Sequence, residues 1–209
     1  MVWNMIFSPL DSLDPRLRQE CASLNKADLR VREQQLEIDG LLDFVYGVVN
    51  KATPGVKPDR GRPTTVGLSA NQVGVIKQIS IVDLSIGKRG YTDVHVLINP
   101  RIVWKSKSQI EKPEGCVNFD NTWGITRRSR AVQVAAWDRS GNEIMLKLSG
   151  WPAILLQHEI DHLQGYLFID RLIDPAKAHL VADDDYPLYR KTKPADWRKF
   201  VDVTAQVRH

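Results

Sequence analysis

The string HEIDH, at residues 158–162, constrains the fold of this chain more than any other feature. Two histidines four residues apart lie on the same face of a helix, where both can bind a single metal ion. Residues 153–156 are all apolar, so we expect this helix to be buried. A buried glutamate and two buried histidines are costly unless they are paired or bind a metal. The string therefore predicts a metal site with His158 and His162 as ligands and Glu159 as the general base for a bound water.

The composition is that of an ordinary globular protein, with 209 residues, 43% hydrophobic and 26% charged. No apolar run reaches the roughly 18 residues that a membrane helix needs, and the N-terminus lacks the features of a secretion signal. We therefore expect the chain to be most simply one domain, in a cytoplasmic protein with no membrane partner. The chain has 2 cysteines, Cys21 and Cys116, which form no disulfide framework and leave a thiolate free to bind metal.

Hydrophobic periodicity predicts two long helices, over residues 26–52 and 151–167, and a group of strands between them. A polar loop is expected at residues 56–65. The strands are expected at residues 78–84, 94–99, 102–106, 131–137 and 143–148, with a hairpin turn at residues 138–141. Hairpin connections indicate an α+β fold in which antiparallel β-sheets pack around the buried metal-binding helix, with N-terminal and C-terminal helices.

The residue pattern alone leaves the third metal ligand open. In the extended zincin motif HExxHxxGxxH a third histidine would fall at position 168, which is Phe168. An acid further along, Asp170 or Asp174, would make this chain a zincin-type metallopeptidase. Cys116 is the better alternative, because Gly115 before it permits unusual backbone angles and close approach to an ion.

Three strings, taken in order, resemble the peptide deformylase family: GLSANQVG at residues 67–74, EGC at residues 114–116 followed by an apolar residue, and HEIDH. DPRLR at residues 14–18 extends the resemblance, which covers roughly residues 8–173. The first motif departs from the family pattern GxGLAAxQ at Thr65 and Ser69. The second departs from EGCLS at Val117 and Asn118, and Trp151 is also unusual. These changes leave the ligands and the base intact. An alternative is therefore a deformylase-like paralogue that has an altered substrate or no activity.

The resemblance implies a catalytic domain over residues 1–173 that removes the N-terminal formyl group from formyl-methionine of nascent peptides. It implies Cys116, His158 and His162 as ligands of one divalent ion, Fe²⁺ in the cell, with Zn²⁺, Ni²⁺ or Co²⁺ able to replace it. Glu159 is then the general base. The oxyanion of the reaction would be stabilised by the Gln72 side-chain amide and the Val117 backbone N–H.

The substrate site is also predicted from these motifs. Gly67 and Leu68 would face an extended, N-formylated peptide that pairs with a strand edge. The pocket for its first side chain would be apolar, and its candidates are Val117, Trp151, Ile154 and Leu155. Behind Cys116, Glu114 and Arg128 are expected to pair and support the thiolate.

Residues 174–209 form a basic C-terminal extension that we expect to be partly helical. Residues 186–209 contain two acidic residues and six basic ones, which are Arg190, Lys191, Lys193, Arg198, Lys199 and Arg208. Related deformylases contact the ribosome through a C-terminal helix, so the ribosome is a candidate partner, without sequence-specific nucleic-acid binding. A solvated terminal helix with no partner is the alternative.

Overall fold

The computed structural model describes residues 7–46, 65–85, 93–182 and 184–189. Its helices are α1 (Arg32–Val45), α2 (Trp151–Leu163) and the short α3 (Tyr186–Tyr189). Its strands are β1 (Gly67–Ser69), β2 (Ile79–Asp83), β3 (Val94–Lys105), β4 (Gln109–Gly115), β5 (Thr122–Ser129), β6 (Ala131–Trp137), β7 (Glu143–Ser149) and β8 (His179–Leu180).

The strands form two antiparallel sheets. The larger sheet has the order β1-β2-β3-β6-β7, and the smaller sheet has the order β4-β5-β8. Every pair of named strands is antiparallel. The predicted α+β class with antiparallel sheets is therefore confirmed. In the larger sheet β1 lies at one edge, so one side of its backbone faces away from its partner β2.

Helix α2 lies between the two sheets. It packs against β1, β2, β3 and β7 of the larger sheet and against β5 of the smaller one. All of its residues from Ala153 to Leu163 are buried, as expected of a helix with apolar side chains on most sides. Successive side chains of β2 face opposite ways, so Ile81 packs with residues of α1 whereas Val82 packs with residues of α2.

The predicted hairpin between β6 and β7 is confirmed. The Asp138 carboxylate accepts hydrogen bonds from the backbone N–H groups of Ser140 (2.8 Å) and Asn142 (2.9 Å). Gly141 has φ +85°, a conformation that favours glycine. This turn fixes the pairing of β6 with β7, which lies at the far edge of the larger sheet.

The predicted helix boundaries were partly wrong. Helix α1 begins at Arg32 rather than at residue 26, because side chains just before it bond to nearby backbone groups. Asn25 Oδ1 accepts from the N–H groups of Ala27 and Asp28, which holds a turn instead of a helix. The predicted end of helix α1, at residue 52, and nearly all of the predicted loop at 56–65 lie outside the described residues. Helix α2 ends four residues early, since Gly165 has φ +77° and cannot continue it.

The strand prediction missed β1, β4, β5 and β8 and divided β3 in two. Strand β3 continues through Pro100, where the register with β6 shifts between Ile98 and Arg101, and an irregularity of this kind tolerates proline. Strand β4 has the sequence QIEKPEG, which lacks clean apolar alternation. Its pairing with β5 is instead supported by contacts across the strands, such as the ion pair of Glu111 with Arg127 at 2.8 Å.

Among the described residues, none of the helices combines the length and the apolar character that crossing a bilayer requires. Strand β8 pairs with β5 through Leu180 and His179, so this part of the C-terminal extension belongs to the smaller sheet. The six cations of the predicted basic segment lie outside the described residues. The boundary at residue 173 and the role of this segment stay predictions.

Candidate metal centre and active site

Two segments far apart in the sequence bring three donor side chains together. Cys116 follows the last residue of β4, and His158 and His162 lie one turn apart on α2. The Nε2 atoms of the two histidines are 3.1 Å apart, and Cys116 Sγ lies 3.4 Å from His162 Nε2. All three donor atoms lie within 4.8 Å of one another. One sulfur and two imidazole nitrogens are a donor set that suits a divalent transition metal, so these residues fit the predicted ion.

The two acids considered as alternative ligands are engaged elsewhere. Asp170 accepts a hydrogen bond from the Leu167 N–H (2.8 Å) and pairs with Arg18. Asp174 accepts from the Ala176 N–H at 3.1 Å and lies 3.0 Å from Lys177 Nζ. Neither contributes to the group of donor atoms around Cys116. The geometry therefore gives no support to the zincin-type arrangement.

The ring of His158 is oriented by a buried carboxylate. Glu114 Oε2 lies 2.9 Å from His158 Nδ1, so the other ring nitrogen, Nε2, is the one that could bind a metal ion. Arg128 donates from Nε and Nη2 to the two Glu114 oxygens at 2.9 and 2.8 Å. Although burial disfavours the charged form, the hydrogen bonds from Arg128 and His158 hold the pKa of Glu114 well below its usual range. The predicted Glu114–Arg128 pair is present, but the side chain that it supports directly is His158 rather than the Cys116 thiolate.

Arg128 also joins the smaller sheet to α2. Its Nη1 pairs with Asp161 on α2, and Asp161 accepts from Arg171 at 2.8 and 3.0 Å. Sequence reasoning missed Asp161, although an acid inside an apolar helix is a signal that a buried partner exists. It also missed Asn71, whose side-chain amide donates to the backbone carbonyl of His162 at 2.7 Å.

Glu159 lies buried beside the histidines and against β1. Ser69 Oγ lies 2.8 Å from Glu159 Oε2, and burial raises the pKa of Glu159 even though His158 and Ser69 act against that change. A Cβ atom on Gly67 would collide with Glu159 Oε1 and would lie 2.7 Å from Leu155 Cδ1. The glycine is thus needed at this position because the carboxylate occupies the space of a side chain.

The side-chain amide of Gln72 reaches the same centre. Its Nε2 donates to Cys116 Sγ at 3.1 Å and to Asn118 Oδ1 at 3.0 Å. Its Oε1 accepts from the backbone N–H of Ser69 at 2.7 Å. Val117 lies next to Cys116 in the chain, and its side chain packs against the core that α1 shares with β1 and β2.

The predicted substrate residues lie in different surroundings. Leu68 is buried in the core beside α1, so its backbone rather than its side chain borders the edge of the larger sheet. Ile154 is buried as well, and Leu155 packs close to Gly67. Trp151, the first residue of α2, is 42% exposed. These positions remain predictions for the substrate pocket.

Glu159 is buried beside two histidines on a helix held between antiparallel sheets, and a cysteine from another segment completes the set. This arrangement is that of a metal-dependent hydrolase. Residues 10–178 match the family model described as polypeptide deformylase. The chain belongs to this family, whose members remove the N-terminal formyl group from nascent peptides in a metal-dependent reaction.

Known relatives agree with this assignment. Peptide deformylase of Thermomicrobium roseum is 36% identical over 175 residues, which are 82% of this chain and 89% of that protein. Chloroplastic peptide deformylase 1B of Solanum lycopersicum is 34% identical over 161 residues, 77% of this chain, and the chain spans 51% of its length. The crystal structure of peptide deformylase from Ehrlichia chaffeensis has a TM-score of 0.65 and 27% identity, with 80% of this chain and 88% of that chain covered.

Proposed function

We propose that Glu159 performs the deformylation of nascent peptides in this chain, beside a metal ion held by Cys116, His158 and His162. One observation carries this proposal: the donor atoms of Cys116, just after β4, and of His158 and His162 on α2 lie within 4.8 Å of one another. Glu159 is buried directly beside them. A structural metal site would need neither this glutamate nor the Gln72 amide.

Fe²⁺ is proposed as the ion in the cell on the resemblance to the peptide deformylase family, with Zn²⁺, Ni²⁺ and Co²⁺ as substitutes. Thiolate and imidazole ligands accept each of these ions. When bound, such an ion lowers the pKa of water from 15.7 toward about 7 and polarises a carbonyl oxygen.

Glu159 moves the proton in this mechanism. Its carboxylate accepts the proton of the attacking water and later delivers it to the amine that leaves from the formyl carbon. Burial raises the pKa of Glu159 toward neutral pH. This suits a group that must both accept and donate a proton. The Ser69 hydroxyl holds this carboxylate by a hydrogen bond, and Gly67 leaves the space that the carboxylate occupies.

Gln72 and Val117 are proposed to stabilise the negative charge that develops on the formyl oxygen. The Gln72 Nε2–H that contacts Cys116 Sγ is directed at the metal centre. The Val117 backbone N–H follows Cys116 immediately in the chain. Removing one such donor typically costs about 2.7–4 kcal/mol of transition-state stabilisation.

The substrate is proposed to bind as an extended peptide along β1, because β1 is an edge strand that lies against Glu159. Val117, Trp151, Ile154 and Leu155 are proposed to form the pocket for its first side chain. Formyl-peptides that differ only in that side chain test this pocket. Val117→Leu and Trp151→Leu should change the ratio of kcat/KM between two such peptides. Expressed as a free energy of discrimination, the change should be about 1–3 kcal/mol. An unchanged preference would remove both residues from the pocket.

A direct assay tests the proposed function. The purified protein, loaded anaerobically with Fe²⁺, is given a formyl-methionyl peptide, the same peptide without the formyl group, and a longer unformylated peptide. We expect formate release from the first substrate and no cleavage of the other two. Internal cleavage of the unformylated peptide would instead indicate a metallopeptidase. Binding of the formyl-peptide without formate release from a metal-loaded sample would indicate an inactive paralogue.

The location of the protein is proposed to be cytoplasmic, with the ribosome as partner of the basic residues after position 189. The six cations of this segment would attract RNA phosphate. Ribosome co-sedimentation at low and high salt compares the full chain with a chain truncated after Tyr189, which is buried and is kept, and with a full-length chain carrying glutamine at all six positions. Equal binding by the three proteins would contradict a role for these cations.

A further inference from the structure

Asn118 contacts the Gln72 amide at the point where this chain departs from the family motif. Asn118 Oδ1 accepts a hydrogen bond from Gln72 Nε2 at 3.0 Å, and Asn118 is 5% exposed. We propose that Asn118 is a positioning residue that directs one N–H of Gln72 at the metal centre. This inference rests on the proposed role of Gln72 as a donor to the formyl oxygen.

The hydrogen bonds around the Gln72 amide leave it one orientation. Oε1 accepts from the Ser69 N–H at 2.7 Å, while Nε2 reaches Asn118 Oδ1 on one side and Cys116 Sγ on the other. Rotating the amide by 180° would set Nε2 against the Ser69 donor and Oε1 against the Asn118 acceptor. With one N–H held by Asn118, the second N–H is directed at Cys116 and therefore at the reacting atoms.

Asn118 is itself anchored at two further points. Its Nδ2 donates to the backbone carbonyl of Leu10 at 2.9 Å and to the backbone carbonyl of Gln72 at 2.9 Å. The Leu10 N–H also donates to the Gln72 carbonyl at 2.9 Å. The serine of the family motif has a single hydroxyl proton and cannot make both donations. The carboxamide thus ties the N-terminal segment to the Gln72 side chain through one buried group.

A double-mutant cycle tests whether Asn118 acts through Gln72. The variants are Asn118→Ala, Gln72→Ala and the two together, with metal content and melting temperature measured on each. Asn118→Ala removes the bond that orients the Gln72 donor, the two bonds to backbone carbonyls and the 3.6 Å contact with Cys116 Sγ. It should lower kcat about tenfold with little change in KM or metal content, because the orientation of the donor is what is lost. In the Gln72→Ala background it should lower kcat no further. Asn142→Ala removes an amide from the distant β6–β7 turn and should leave kcat unchanged.

A measurement independent of turnover accompanies the cycle. In the metal-free protein, the two side-chain amide protons of Gln72 are identified by their absence in Gln72→Ala. Their exchange with solvent should be slow in the wild type and faster in Asn118→Ala. Asn118→Ser, which keeps an acceptor oxygen, should fall between the two in both exchange and kcat, and it replaces Asn118→Ala in the cycle if that variant does not fold.

The outcomes separate the two proposals. Additive losses of kcat in the double variant, or unchanged exchange of the Gln72 amide protons in Asn118→Ala, would overturn the role of Asn118. Absence of formate release from the wild type would overturn the proposed function, while the exchange measurement would still decide whether Asn118 holds Gln72.

Discussion

The Ser69 hydroxyl lies 2.8 Å from Glu159 Oε2, and Ser69 Oγ also lies 2.9 Å from the hydroxyl oxygen of Ser80 on the neighbouring strand. Ser69 is one of the positions where the sequence departs from the family pattern, which has alanine there. All three side chains are buried. A residue that stood out in the sequence only as a substitution therefore contacts the proposed general base directly.

Ser69→Ala is expected to fold and to bind metal normally, since the family pattern has alanine at this position. It should lower kcat on a formyl-methionyl peptide by about tenfold, because a hydrogen bond to the Glu159 carboxylate is lost. Ser80→Ala is the matched control, since Ser80 contacts Ser69 and reaches Glu159 through it. Its effect should be smaller. A larger loss from Ser80→Ala than from Ser69→Ala would contradict this interpretation.

Glu159→Ala should retain the metal and lose about 10²–10⁴-fold in kcat, because proton transfer is removed while Cys116, His158 and His162 are untouched. Glu159→Gln keeps the shape of the side chain and should be similarly impaired. Metal analysis and formate release are measured on the same anaerobic preparation. Full activity in a metal-loaded Glu159→Ala protein would exclude the general-base role.

Cys116→Ser is expected to weaken metal binding sharply, because a soft thiolate ligand is exchanged for a hydroxyl. Asp170→Ala should leave metal affinity unchanged, since this carboxylate pairs with Arg18 and caps the Leu167 N–H. Competition with a chelator measures both affinities. Unchanged binding by Cys116→Ser together with lost binding by Asp170→Ala would reverse the assignment of the third ligand.

Glu114→Gln should lower metal affinity about 10- to 100-fold, because the His158 ring loses the carboxylate that orients it. Glu111→Gln provides the control on the same hairpin. Its carboxylate pairs with Arg127 on an exposed face at 2.8 Å, and surface pairs of this kind contribute little. Equal effects of the two substitutions on metal affinity would show that Glu114 does not act through His158.

The two cysteines should differ in their reaction with thiol reagents. Burial raises the pKa of the Cys21 thiol to about 12 from 9.0, so at pH 8 only about one molecule in ten thousand carries the reactive thiolate. The thiolate fraction rises with pH, so Cys21 should react appreciably only well above pH 9 or after unfolding. Cys116 is half-buried and should react in the native, metal-free protein.

A titration at pH 8 should therefore count one thiol per native chain and two per unfolded chain. Added metal should protect the native thiol, and Cys116→Ser should abolish the native reaction. Fast labelling of Cys21 in the native Cys116→Ser variant would contradict its burial.

The sequence by itself determined the features that depend on local spacing. The four-residue separation of His158 and His162 places them on one helix face whatever surrounds the helix, and the Asp138 turn specifies its hairpin through contacts a few residues long. The apolar residues around HEIDH were sufficient to predict that α2 is buried. The ordered motifs added Cys116 and Gln72 through resemblance to a family rather than through spacing.

Only the tertiary structure decided the contacts that join distant segments. Glu114 and His158 are 44 residues apart, and Ser69 and Glu159 are 90 residues apart, so neither contact has a periodic signal in the sequence. Strand β4 exists because β5 pairs with it, although its own residues do not alternate. Which carboxylate supports which histidine, and which way the Gln72 amide faces, depend on buried hydrogen bonds that form only when the two sheets enclose α2.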